Sequence, residues 1–208
     1  MLVFLLWKPK VKGKDITIIV VYGVIFFLLN KFYSILRFEI SPPVYYSCYT
    51  FLELFCYSLL FLLNITSRKI KIAIIGSQVF FAAFQIVFFF TSSIRNLDAI
   101  PVGVETILVY FYIFSFFFER FQNIKGDYIY NDHCFWISIG LMLYLGGSFF
   151  FYILANHMEE AELKKYWYIT FIIETIKNIF FALSIVVHSK FKSKQKIPNQ
   201  NIPYLDFN

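Results

Sequence analysis

The chain has 208 residues, of which 59 % are hydrophobic, 23 % aromatic and 15 % charged, with a formal net charge of +6. A soluble domain carries roughly 45–50 % apolar and about 25 % charged residues, so this composition exceeds what one core of this length hides. It argues against a soluble enzyme, a disordered chain and a disulfide scaffold, and predicts an all-α, polytopic transmembrane bundle whose first partner is the lipid bilayer.

The chain opens on an apolar heptapeptide, MLVFLLW, followed by Lys8, Lys10, Lys12 and Lys14. A signal peptide carries its charge before its apolar run, so this order does not fit one. Seven residues are too few to span. They read as an interfacial segment anchored by Trp7, or as the remnant of a further helix whose start lies upstream. Six stretches then approach the about 20 residues that a hydrocarbon core requires. They are 16–36, 44–63, 70–90, 101–118, 133–155 and 166–187. Runs such as FFFYIL and IFFALSIVV do not alternate in polarity, so each span is a helix and not a barrel strand. Residues 1–188 are thus expected to form a single bundle. Residues 189–208, basic and then carrying Pro198 and Pro203, are expected to form a cytoplasmic tail without fixed structure. Its lysines serve as topology determinants or meet anionic head groups.

Lysines and arginines gather in alternate connections. One side carries the four N-terminal lysines, then Arg68, Lys69 and Lys71, then Arg120 and Lys125, then Lys190, Lys192, Lys194 and Lys196. The other side carries Arg37, Arg95, Lys164 and Lys165. Six crossings put both termini on one side, and the positive-inside rule makes that side the cytoplasm. Basic residues scattered between apolar spans do not make a nucleic-acid surface.

Cys48, Cys56 and Cys134 have no metal-ligand spacing and read as small hydrophobes. Nucleophile elbow, HExxH, P-loop and dinucleotide motifs do not occur, so no enzyme, metal or cofactor is expected. His157 and Glu160 stand three apart after the fifth span, a thin basis for a metal or pH-sensing site. His133 and His188 read as interfacial. The Asn64-Ile65-Thr66 sequon falls at the inner end of the second span, the wrong side for glycosylation.

The informative residues are the polar ones within the spans, because an ionisable group near a helix centre costs at least ~2.5 kcal/mol and needs a partner or a purpose. Glu53, Glu105 and Glu174 lie on inward-running spans, about 14, 6 and 12 Å below the outer surface at 1.5 Å per residue. Lys31 and Lys177 add positive charge at comparable depth. Gln78 and Gln85, seven apart, share one face, and Gln85 also reaches the outer half. Glu174, Lys177 and Asn178 stand at i, i+3 and i+4, so they form one stripe that packs inward. Glu174 is the simplest expected partner for Lys177. In the fifth span Gly140, Tyr144 and Gly147 form a face on which another helix approaches closely. Trp136 and 166–168 read as interfacial anchors.

The segments ETILVYFYIF (105–114), FWISIGLMLYLGGSFFFYILANH (135–157) and IKNIFFA (176–182) resemble a bacterial family of small heptahelical integral membrane proteins with no assigned activity. Such proteins normally carry another helix before the first span seen here. They are often encoded near sensor histidine kinases, so the resemblance implies a sensory or accessory role and a membrane histidine kinase as partner. It carries no activity to any residue.

Three functions follow as expectations. The first is a sensory or accessory signalling module, with a polar pocket in the outer half formed by Glu53, Glu105, Glu174, Lys177, Asn178, Gln85 and Lys31. The second is a small-solute or ion transporter, which requires polar groups through the whole thickness. The third is a structural subunit in which the same groups only glue helices together. The concentration of ionisable groups in the outer half favours the pocket.

Overall fold

The computed structural model describes residues 13–36, 42–91, 99–122, 129–155 and 157–194. The apolar heptapeptide with Lys8, Lys10 and Lys12, together with Arg37, Arg95, Lys125, Asn156 and the tail beyond 194, lies outside the described residues. All regular structure among the described residues is helical: α1 (Lys14–Leu36), α2 (Pro42–Asn64), α3 (Arg68–Thr91), α4 (Ala99–Gln122), a 3-10 turn (Ile129–Asn131), α5 (His133–Ala155), α6 (Glu160–Tyr166) and α7 (Tyr168–Lys194). Six of the helices are long and apolar enough to cross a membrane, with α6 and α7 counted as one crossing.

Local chemistry sets the helix ends. Pro42 opens α2 and Pro101 lies in the first turn of α4, where a missing N–H breaks no helical bond. The Asp132 carboxylate accepts the Cys134 N–H at 3.0 Å and caps α5. Glu119, from α4, accepts the Thr66 N–H at 2.8 Å and the Ser67 N–H at 3.4 Å, so a carboxylate from a neighbouring helix caps α3. The last crossing starts earlier than the expected 166. Glu162 lies in the first turn of α6, where an acidic residue is favoured, and Trp167 keeps right-handed helical dihedrals (φ −57°, ψ −25°) between α6 and α7.

Five helices, α1, α2, α4, α5 and α7, surround a common centre. Helix α2 packs on α1, α3 and α4; α4 packs on α5; α5 makes its broadest contact with α7. Tyr22 of α1 meets Phe181 of α7 edge-on at 6.1 Å and closes the ring. Helix α3 lies outside it and buries a single stripe, Ile74, Phe81 and Gln85. Ile70 and Phe84 pack partly against the core, and many of its other apolar side chains point outward, as does one side of the other helices: Phe90 is 81 % exposed and Ile107 69 %. Apolar surface so continuous matches a hydrocarbon solvent, not water.

The bundle has two different ends. One gathers the start of α1, the α2–α3 and α4–α5 connections and the end of α7. There Asp15 meets His133 at 2.9 Å, Arg120 meets Asp132 at 3.0 Å, and the His133 and His188 rings stand 4.7 Å apart. This is the basic end. The opposite end joins α1 to α2, α3 to α4 and α5 to α6.

Contact between α5 and α7 depends on two glycines. A Cβ on Gly140 would stand 2.7 Å from the Phe180 Cβ, and one on Gly147 would stand 3.0 Å from Ile173. Gly76 of α3 has nothing within 4 Å of such a position. Gly140→Ala is expected to lower stability by about 1–3 kcal/mol through overpacking. Gly76→Ala is expected to be neutral or to stabilise by up to about 1 kcal/mol through helix propensity. Thermal unfolding of the two purified variants in detergent checks the pair.

Candidate functional site: a buried ion pair beside a two-carboxylate cavity

Each helix of the ring sends one or two polar groups to the centre. On α2, Glu53 and Tyr57 are one turn apart and share a face, so the Tyr57 hydroxyl donates to Glu53 Oε1 at 2.5 Å. Tyr22, the only hydroxyl on α1 between Thr17 and Tyr33, donates to the same oxygen at 2.7 Å. Tyr144 of α5 donates to Oε2 at 3.2 Å. Three phenols from three helices thus solvate one carboxylate, which is 3 % exposed.

Lys177 of α7 enters from the other side. Its Nζ lies 3.6 Å from Glu53 Oε1 and donates to the Tyr22 hydroxyl at 2.7 Å. The Tyr22 hydroxyl therefore accepts from the ammonium while it donates to the carboxylate. The ammonium also sits 3.6 Å from the centroid of the Tyr144 ring, a close cation–π contact. Gly140 and Gly147 flank Tyr144 on α5 and let α7 come close enough for this contact. Lys177 is 1 % exposed, so the pair is fully removed from solvent.

Glu105 of α4 completes the centre. It is 1 % exposed, and its Oε1 has no hydrogen-bond partner among the described residues. Between Glu105 and Glu53 lies a cavity of about 40 Å³ lined by Tyr46, Tyr49 and Thr50 of α2, Val102 of α4, and Tyr144, Leu145, Ser148 and Tyr152 of α5. One water needs ~10–15 Å³ of such space, so the cavity suits an ion or about three waters and not a drug-sized ligand. Most of its lining lies beyond Glu53, Glu105 and Tyr144 in the direction away from the basic end. Toward the basic end the centre is filled by Tyr57, Phe61, Ile113, Leu141 and Phe181, each at most 2 % exposed.

The other polar residues singled out in the sequence lie elsewhere or contribute less. Glu174 is half-buried, one turn before Lys177, and does not take its ion pair. The expected Glu174–Lys177 partnership gives way to Glu53, because the close α5–α7 contact aims Lys177 across the bundle at a carboxylate already held by three hydroxyls. Asn178 is half-buried and makes none of the hydrogen bonds around Glu53. The Gln85 amide donates to the Ser47 carbonyl at 2.6 Å and ties α3 to α2. Lys31 is exposed, nine residues or about 14 Å along α1 from Tyr22. His157 is exposed, and among the described residues no group of three or more His, Cys, Asp or Glu is assembled for a metal ion.

Sequence reasoning passed over Tyr22, Tyr57, Thr50 and Ser148. The available signals were the i, i+4 spacing of Glu53 and Tyr57 and the isolation of Tyr22 in an otherwise apolar stretch. Five helices around a buried polar centre and a sixth packed outside them, all long and apolar enough to cross a bilayer, point to a multi-pass helical membrane protein. Comparisons with protein-family models, with curated proteins and with solved structures find no match.

Removing one partner strands the other charge in the core, at a cost of about 3–5 kcal/mol. Glu53→Gln and Lys177→Met are each expected to destabilise by that amount. The double variant is expected to lose clearly less than the sum, because both charges leave together. Unfolding measurements on the four proteins close the cycle; additive losses would show that the two side chains do not interact.

Proposed function

We propose that this protein is a sensory or accessory signalling module of the bacterial inner membrane, with both termini in the cytoplasm and a small polar pocket reached from the outer side. One observation carries the reading. Two carboxylates from neighbouring helices share a cavity whose lining continues toward one end of the bundle, while aromatic and aliphatic side chains fill the other. The expected orientation puts the basic end in the cytoplasm, so the cavity belongs to the outer half.

A conduit needs polar groups through the full thickness, and Phe61, Ile113 and Phe181 stand across that path. A purely structural role is disfavoured by Glu105: Gln78 and Gln85 each tie α3 to α2 through their amide N–H, whereas Glu105, a wall of the cavity, makes no hydrogen bond or ion pair to a neighbouring helix among the described residues. Occupancy of the pocket acts on helices α2, α4 and α5; the basic ends of α4 and α5 carry Arg120 and His133, and Arg68 opens α3 just beyond the end of α2. Those ends are the route to a cytoplasmic or membrane partner, and a sensor histidine kinase is the class that the family resemblance implies.

Accessibility tests the reading. Val102, half-buried in the cavity lining on α4, is replaced by Cys in a Cys48→Ser background, because Cys48 is exposed. A small charged thiosulfonate reagent is expected to modify V102C in sealed vesicles of right-side-out orientation and to leave it untouched in inverted ones. Modification from the cytoplasmic face would turn the reading toward a transport path.

A further inference from the structure

We infer that the cavity between Glu53 and Glu105 is a binding site for one small monovalent cation of the sodium class. The inference deepens the sensory reading by naming the ligand, and it rests on that reading only for what the occupancy signals.

Charge decides the valence. Glu53 is paired with Lys177 at 3.6 Å, so an ionised Glu105 has no opposite charge of its own. A low-dielectric interior tolerates an uncompensated charge poorly. A monovalent cation brings Glu53, Lys177 and Glu105 to neutrality, whereas a divalent cation overshoots by one unit.

The donor set decides the kind of cation. Glu105 lines the cavity, and its Oε1 is buried with no hydrogen-bond partner among the described residues. The polar side-chain atoms that border it are all oxygens, from two carboxylates, four phenols and the hydroxyls of Thr50 and Ser148. The wall is otherwise carbon, from Val102, Leu145 and the tyrosine rings, so the only donors on offer are oxygens, which suit hard cations and offer nothing to zinc or copper. Two of these hydroxyls have already committed their protons. Thr50 donates to the Tyr46 carbonyl at 3.0 Å, and Tyr144 donates to Glu53 at 3.2 Å. Both therefore turn lone pairs toward any further neighbour, as an acceptor must for a metal ion.

Size decides the rest. A volume of about 40 Å³ accommodates a bare ion with one or two waters and leaves no room for an organic amine.

The test uses the full-length protein, purified in detergent, at fixed pH and ionic strength, with sodium exchanged for choline. Sodium is expected to raise the unfolding temperature saturably, by about 5 °C. Binding of radioactive sodium is expected to saturate at one ion per chain, with potassium at least tenfold weaker. Glu105→Gln supplies a neutral group of the same shape, so it is expected to fold and to lose both responses. Thr50→Val, which keeps the shape and removes one oxygen, is expected to raise the sodium midpoint at least tenfold; it decides the matter if Glu105→Gln does not fold. A wild-type protein indifferent to sodium would overturn the proposal and point to a protonated Glu105. So would a sodium response of equal size in Glu105→Gln or Thr50→Val. The two readings fail separately. Outer-face modification of V102C without a sodium response removes the cation alone, and a sodium response with cytoplasmic modification removes the sensory role alone.

Discussion

The bundle is organised around one buried ion pair. Glu53 and Lys177 come from α2 and α7, far apart in the chain, and neither side chain reaches solvent. A pair so placed is tolerable only when its remaining lone pairs and protons are satisfied. Tyr22, Tyr57 and Tyr144 satisfy the carboxylate, while the Tyr22 hydroxyl and the Tyr144 ring satisfy the ammonium. Four helices are thereby tied to one point. A slip of α7 by one turn, about 5.4 Å, would take Lys177 out of reach of all of them. The pair sets helix register in a solvent where apolar contact alone discriminates poorly, because lipid tails are as apolar as the helix faces.

Glycine makes the pair possible. Tyr144 stands between Gly140 and Gly147 on α5, and the two missing Cβ atoms let α7 approach until its backbone and Phe180 lie against that face. Lys177 then has no outward path and extends across the centre. Helix α3 shows the contrast. It carries Gly76 with open space around it, buries one stripe, and links to α2 through glutamine–carbonyl bonds, from Gln85 to Ser47 and from Gln78 to Leu54. Similar residue types thus serve simple attachment at the periphery and a charged network in the middle.

The two ends divide the work. At the basic end, Asp15, Arg120, Asp132 and His133 join α1, α4 and α5, and Glu119 caps α3. These contacts brace the helix termini at the level where head groups and water compete for charge. Toward the opposite end, Tyr45 still joins α2 to Asn30 of α1, while between α2, α4 and α5 a small cavity lies above Glu53 and Glu105. A structure closed on one side and locally underpacked on the other suits a ligand that enters and leaves by the same face.

Much of this architecture was legible in the sequence. The apolar length of each span and the lack of alternation dictate helices, because a backbone in lipid must satisfy its own hydrogen bonds. The depth of Glu53 and Glu105, and the Gly140, Tyr144 and Gly147 face, follow from rise and period alone. What one helix meets on another does not follow from period. Glu174 is nearer to Lys177 in the chain than Glu53 is, yet the direction of Lys177 is set by how closely α5 admits α7. Tyr22 carries no charge and looks in sequence like an interfacial aromatic displaced inward. Only the assembled bundle shows it bridging acid and base. The sequence by itself determined that six helices form and that acidic groups lie inside them, since both depend on local transfer energies. The tertiary structure decided which carboxyl group pairs with Lys177 and which lines a cavity without a partner, since that depends on distances between helices that no single helix encodes.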